Sequence, residues 1–227
     1  MTGEEPDLAV FGGVKAGALC LDVGAGKGRA SKPLLAAGAR VVLLERDGAR
    51  LAEAAAELQG SASFVRGDAR SLPFEAGVFD AVVLRALVHH LPEPAEALRE
   101  AARVARPGGA VILVDKVGPE EVQARARRNA VERLRHSGHV WSWSERELRS
   151  LAGAARLEVE AFEPWTEARD AEEWIARGNA AAPWDGIVRE LLSGCPEAFG
   201  ARRGPDGTLV FVEAWGSLLL RKAAPRR

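Results

Sequence analysis

Three glycines in five residues follow an acidic residue that ends an apolar run, in Asp22-Val23-Gly24-Ala25-Gly26-Lys27-Gly28. Glycine has no Cβ and tolerates positive φ, so a ligand can approach the backbone of such a turn closely. Dinucleotide turns of the form Gly-x-Gly-x-x-Gly seat a pyrophosphate on a helix N-terminus, but here Arg29 stands where their third glycine would be. The carboxylate of Asp22 would repel a phosphate and suits a ligand that carries an ammonium and a sulfonium. Two more acids, Glu45 and Asp68, end later apolar runs. A carboxylate at Glu45 can accept hydrogen bonds from both hydroxyls of a ribose. At Asp68 it could accept an adenine amino proton while the backbone of Ala69 reads the ring edge. Each acid alone could be a surface or turn residue, and Asp47 reads as a helix cap. Three acids at successive strand ends, on the edge where open α/β sheets bind ligands, describe one adenosyl ligand.

The elements that must position these residues alternate. Apolar runs at 18–23, 40–45, 63–66, 79–84 and 110–114 read as strands. Helical patterns at 29–37, 49–58 and 94–106 fall between them, the last stopped by Pro107-Gly108-Gly109. Continuous apolar strands alternating with helices indicate a parallel sheet buried on both faces. Beyond residue 115 the pattern predicts helices at 120–135, 144–152, 168–176 and 187–192, with strands at 157–162 and 208–220. The expected fold is α/β: a Rossmann-like doubly wound, seven-stranded, mostly parallel sheet with an antiparallel last strand and a helical cap inserted in the C-terminal half. One domain is expected over 1–227, with 1–115 the cofactor-binding half and 116–227 the substrate cap and last two strands.

Composition narrows the class. The 227 residues carry 31 Lys and Arg against 32 Asp and Glu, a net charge of −1, which argues against wholesale electrostatic binding of nucleic acid. Arg125, Arg127, Arg128, Arg133 and Arg135 crowd one predicted helix, a pattern that is usually a solvated face. No segment approaches the roughly 18 apolar residues of a membrane helix, and the start, Met1-Thr2-Gly3-Glu4-Glu5-Pro6-Asp7, has neither the basic nor the apolar stretch of a secretory signal. A cytoplasmic protein without membrane partners is expected. Cys20 and Cys195 are distant in sequence, so neither a disulfide nor a metal site is expected.

Four blocks resemble the class I S-adenosylmethionine-dependent methyltransferases, especially the small-molecule branch typified by ubiquinone and menaquinone biosynthesis. They are Leu21 to Gly28; Phe64-Val65-Arg66-Gly67-Asp68-Ala69; Leu72-Pro73-Phe74 with Phe79-Asp80-Ala81-Val82-Val83; and Ala97-Leu98-Arg99-Glu100 through Arg106-Pro107-Gly108-Gly109. The resemblance implies S-adenosylmethionine as cofactor and S-adenosylhomocysteine as product. It places cofactor roles on Asp22, Gly24, Ala25, Gly26 and Gly28 at the methionine end, Glu45 and Arg46 at the ribose, and Asp68 with Ala69 at the adenine. Arg85 falls where the family often sets a residue near the reactive methyl group, and Arg85-Ala86-Leu87-Val88-His89-His90-Leu91 resembles a paired-histidine motif of other members.

Methyl transfer needs chiefly alignment of a nucleophile and exclusion of water, with no metal or covalent residue. An oxygen or carbon nucleophile would gain from a base, for which His89, His90 and His139 are candidates. All six tryptophans follow the fifth strand. About forty residues holding Trp165, Trp174 and Trp184 separate the last two strands, where the family has a close antiparallel pair. They read as a helical cap that selects a small apolar or aromatic molecule, with Arg85, His139, Trp165 and Trp174 as candidate substrate contacts. Other readings are an RNA or protein methyltransferase using the arginine-rich helix and the tail Arg221-Lys222 with Arg226-Arg227, and a cofactor-binding cyclase or regulator. No Asn-Pro-Pro-Tyr-type loop follows the fourth strand. The sequence does not name an oligomeric state or choose among the histidines.

Overall fold

The computed structural model describes residues 4–178, 184–193 and 196–222. Its centre is a sheet of strands β1 (Leu19–Val23), β2 (Arg40–Glu45), β3 (Ser63–Arg66), β4 (Phe79–Arg85), β5 (Ala105–Lys116), β6 (Leu157–Asp170), β7 (Arg202–Arg203) and β8 (Leu209–Lys222). The order is β3-β2-β1-β4-β5-β8-β6, with β7 on β8. β1 to β5 pair in parallel, whereas β8 runs antiparallel to both β5 and β6. The doubly wound, mostly parallel sheet with its reversed last strand is as the residue pattern predicts; β7 makes the strands eight rather than seven.

Around the sheet lie α1 (Leu8–Phe11), α2 (Ser31–Ala36), α3 (Gly48–Leu58), α4 (Pro94–Val104), α5 (Val122–Arg135), α6 (Glu145–Ala154), α7 (Ala171–Ala176), α8 (Trp184–Ser193) and α9 (Pro196–Phe199). The strands are buried on both faces: Leu21 and Val23 pack into one apolar cluster with α4 and α6, while Cys20 packs into a second with α2 and α3. Each fully buried Leu or Val stabilises by roughly 1.5–3 kcal/mol. α3 opens on Asp47, whose carboxylate accepts from the N–H groups of Ala49 and Arg50. α4 stops at Val104, short of the expected 106, because Ala105 already pairs with Phe79 as the start of β5.

The C-terminal half departs from expectation. β6 does not end at 162 but continues through Trp165 to Asp170, paired with β8 residue by residue. The two therefore form the close antiparallel pair that the forty-residue spacing seemed to exclude. Between β6 and β8 the described residues form the two-residue β7, paired with β8, and the helices α7, α8 and α9. These pack on α5 through a third apolar cluster that includes Val131, Trp174, Ile187, Phe199 and Phe211. Trp165 belongs to the β-ribbon rather than to the cap. The side chain of Trp184, Cys195, and Arg226-Arg227 lie outside the described residues. Among those described, no helix is long and apolar enough to cross a membrane.

Candidate functional site

β1 ends in a turn whose backbone is left-handed at Gly24 (φ 67°), Gly26 (54°) and Gly28 (75°). A Cβ on Gly24 would lie 2.7 Å from Leu87, whereas one on Gly26 would enter open space. Beside the turn runs a groove of about 550 Å³ lined by Gly24, Glu45, Arg46, Asp68, Ala69 and Leu87, among others. The Glu45 carboxylate closes the turn, accepting from Gly26 N at 3.0 Å and from the N–H groups of Arg46 and Asp47 at 2.8 and 2.9 Å. Asp68 is held by Arg70, whose hydrogen bond and charge bring its carboxyl down to about 2. Asp22 lies beneath the turn with 1% exposure and accepts from Ser31 Oγ at 2.7 Å. Burial pushes it up to about 6, against the pull of Ser31 and Arg85. Groove size and donor set suit an adenosyl cofactor: an acid for the ribose, an acid and a backbone for the base, and an open, Cβ-free floor at Gly26.

A second cavity, of about 240 Å³, adjoins the groove, and Ala86, His90 and His136 line both. The chain's four histidines meet here. His89 lies 4.0 Å from His90 and 5.6 Å from His139, ring to ring, and His136 lies 5.3 Å from His90. Asp115, fully buried at the end of β5, organises the loop above it. One carboxylate oxygen accepts from Leu87 N and Val88 N at 3.0 and 2.8 Å, and the other meets His89 Nδ1 at 2.5 Å. Burial works against its charge, yet the His89 imidazole and the Lys116 N–H hold it below the ordinary range.

The partners assign the other rings. His90 Nδ1–H donates to Gly138 O at 2.8 Å, leaving Nε2 as acceptor. Asn129 spends its amide N–H on Arg125 O, so its oxygen accepts from Ser142 N and from His139 Nε2–H at 2.7 Å. His136 accepts from Gly138 N on Nδ1. Burial brings His139 down to about 3 and His90 to about 4, the latter helped by the charge of His89, and it lowers His136 as well.

Behind the histidines lies a buried charge network. Lys116 Nζ sits 2.9 Å from Glu132 and 2.7 Å from Glu213, and Arg169 reaches Glu213 at 3.0 Å. The cations hold both carboxyls below their usual range against burial, which would raise them. Trp215 and Trp174 form apolar walls, with the Arg135 guanidinium 4.4 Å over the Trp174 ring.

The predicted residues thus separate. Glu45, Arg46, Asp68, Ala69 and Gly24 line the groove; Ala25, Gly26 and Gly28 shape its turn; His89, His139 and Trp174 line the cavity, and His90 lines both. Trp165 stacks behind Trp215 at 5.2 Å and donates to Ser217 Oγ. Arg85 makes a two-pronged ion pair with Glu5, at 2.6 and 2.8 Å, over Trp215. The arginine-rich helix is a solvated face only in part: Arg127 and Arg133 are exposed, whereas Arg125 and Arg128 are buried and Arg135 packs over Trp174. Asp115, Lys116, Glu132, Asn129, His136 and Trp215 escaped sequence reading. Asp115 carried a signal, an acid ending the fifth strand, as Glu45 ends the second. Among the described residues, no cluster is placed to hold a metal ion.

Residues 21–113 match a family model described as a methyltransferase domain. The uncharacterized methyltransferase YcgJ of Bacillus subtilis is 34% identical over 119 residues, covering 52% of this chain and 47% of that protein. Its crystal structure superposes with a TM-score of 0.85 at 25% identity, over 96% of this chain and 97% of that one. The demethylmenaquinone methyltransferase of Renibacterium salmoninarum is 36% identical over 103 residues, 45% of this chain and 43% of that protein. The putative methyltransferase BH2331 of Bacillus halodurans shares the fold, with a TM-score of 0.87 at 24% identity, over 96% and 97% of the two chains. The chain spans about half the length of the curated relatives it matches. Its sheet order agrees with these matches, and residues 21–113 form a methyltransferase domain of the class I S-adenosylmethionine-dependent kind.

Proposed function

We propose that the chain methylates a small ring-bearing metabolite held in the histidine-lined cavity, with the cofactor in the adjoining groove. The observation that carries this reading is the wall common to both spaces, Ala86, His90 and His136, across which an acceptor atom and the methyl group can meet. In the groove, Glu45 takes the ribose hydroxyls, Asp68 and the Ala69 backbone take the adenine, and the Gly24 to Gly28 turn with Asp22 faces the methionine end. The bound cofactor supplies an electrophilic methyl carbon; the chain aligns the acceptor, excludes water and accepts a proton.

Size supports one ring: a cavity near 150 Å³ takes a benzene, and this one is about 240 Å³. The lining changes the expected chemistry of the substrate. Trp174 and Trp215 offer flat apolar faces, but Lys116, Arg169, Glu132 and Glu213 surround them, so a polar aromatic compound fits better than a purely apolar one. Nucleic acid fits poorly, since three of the five α5 arginines, Arg125, Arg128 and Arg135, are spent inside the protein, leaving only Arg127 and Arg133 exposed on that helix.

The test is release of S-adenosylhomocysteine on incubation with a panel of monocyclic phenols, amines and acids and with a metabolite extract, Gly26→Arg serving as the control. Turnover with the small acceptors is expected. Turnover that requires RNA or protein, with none on the panel or the extract, would overturn the reading.

A further inference from the structure

Four histidines around one cavity look interchangeable, yet their nitrogens meet different partners. His90 donates to a peptide carbonyl, His139 donates to a side-chain amide, and His136 accepts from a peptide N–H. None of these partners can balance a positive ring. Among the described residues His89 alone of the four touches a carboxylate, at 2.5 Å from Asp115 with both groups buried. Asp115 cannot swing away, because the N–H groups of Leu87, Val88 and Lys116 fix its two oxygens. The other acids nearby, Glu132 and Glu213, are occupied by Lys116. The proton on the pair therefore sits on His89 Nδ1. Nε2, which meets no hydrogen-bond partner among the described residues, is left as the acceptor on a ring that lines the cavity.

We propose that His89, oriented by Asp115, is the general base that takes the proton of a substrate hydroxyl, so that the acceptor atom is an oxygen on the ring compound in this cavity. This rests on the reading of the cavity as the acceptor site. In the step, the hydroxyl proton passes to His89 Nε2 as the oxygen forms its bond to the methyl carbon. The carbon–sulfur bond breaks with its electron pair left on sulfur, which becomes a neutral thioether. The positive charge lost there reappears on the imidazolium, opposite the Asp115 carboxylate, and the extra proton then leaves to water. An amine would need no such arrangement to become a competent acceptor, since a neutral amine already presents its lone pair; methylation at a ring carbon, which also gains from a base, would overturn the assignment of oxygen. Asp115 is a positioning residue: it sets the tautomer and stabilises the charged ring.

Two measurements test this. Nitrogen NMR of the free protein, without cofactor or substrate, should show His89 protonated on Nδ1 with a bare Nε2, and Asp115→Asn should move the proton to Nε2. A wild-type His89 protonated on Nε2 would overturn the proposal without touching the assignment of methyl transfer. The second compares phenol with 4-nitrophenol, which is ionised at mildly alkaline pH unaided. His89→Gln should lose about a hundredfold or more on phenol and no more than about threefold on 4-nitrophenol. An equal loss on both would show that His89 only shapes the cavity. A wild-type enzyme that methylates the amines of the panel and none of its phenols would also overturn it, leaving the cavity itself as the acceptor site.

Discussion

The proposed cofactor groove and the histidine cavity lie either side of one wall but are built by opposite means. In the groove most polar groups are met by close neighbours in the chain: Glu45 by the N–H groups of Arg46 and Asp47 as well as by that of Gly26 nineteen residues back, Asp68 by Arg70, Asp22 by Ser31 nine residues on. In the cavity the buried charges depend chiefly on distant ones, while the exposed lining pair Arg177 and Glu173 is local. Lys116 of β5 is balanced by Glu132 of α5 and Glu213 of β8, and Asp115 meets His89. A local arrangement tolerates loss of one member, because the remaining groups are near water or backbone. A buried network does not, because each removal strands a charge.

The sharpest way to break that contrast is Lys116→Met. It removes the cation between two carboxylates that are each 1% exposed, and should destabilise the protein by about 3–5 kcal/mol, read from urea unfolding. Acid should do the same more gently in the wild type. The carboxyls of Glu132 and Glu213 are held below their unfolded values, so their contribution is present above roughly pH 4.3 and fades as pH falls toward the folded values. A Lys116→Met protein as stable as wild type would show that the network is solvated and that the two regions do not differ.

Next in size is Gly26→Arg. A side chain there meets no neighbour within 4 Å, so it adds the cost of positive φ for a residue with a Cβ and projects over the turn. Affinity for S-adenosylmethionine should fall at least about a hundredfold, near 2.7 kcal/mol, by calorimetry, with the far cavity undisturbed. Unchanged affinity would remove the turn from the cofactor site.

These two substitutions mark what could be read in advance. Gly26, Glu45 and Asp68 were legible because glycine chemistry and strand-end acids are local signals, repeated at each βα unit. Asp115 obeys the same rule and was legible in principle. Lys116, Glu132 and Glu213 were not, since nothing in a single strand or helix says which distant partner will neutralise a buried charge. The long β6 was missed for a related reason. Residues 163–170, Glu-Pro-Trp-Thr-Glu-Ala-Arg-Asp, lack an alternating apolar pattern and are extended because β8 pairs with them.

A smaller effect tests whether the groove too has one buried charge that matters. Asp22 is pushed up to about 6 by burial, so the free protein holds it protonated only below about pH 6 and carries a buried charge at neutral pH. Its stability contribution is complete below its unfolded value near about 3.9 and lost as pH rises through about 6. A cationic ligand end beside it would favour the ionised form, so cofactor affinity should drop as pH falls below about 6, by up to about tenfold per unit. Asp22→Asn should flatten that dependence and raise stability at neutral pH. A pH-independent affinity in the wild type would place Asp22 out of reach of the ligand's charge.

The smallest prediction separates locality from position in the fold. α6 lies in the C-terminal half but begins on a capping box, in which Ser144 Oγ accepts from Glu147 N and the Glu147 carboxylate accepts from Ser144 N. If the contrast is between short-range and long-range arrangements rather than between halves, this pair should behave as the groove does. Ser144→Ala frees one N–H at a helix start and should cost about 1 kcal/mol, leaving cofactor affinity within about twofold. The remaining Glu147 carboxylate still has Arg125, at 3.1 Å, so no charge is stranded. A loss as large as that of Lys116→Met would mean that the cap and the network unfold together, and that every part of this half, local or not, hangs on the buried charges.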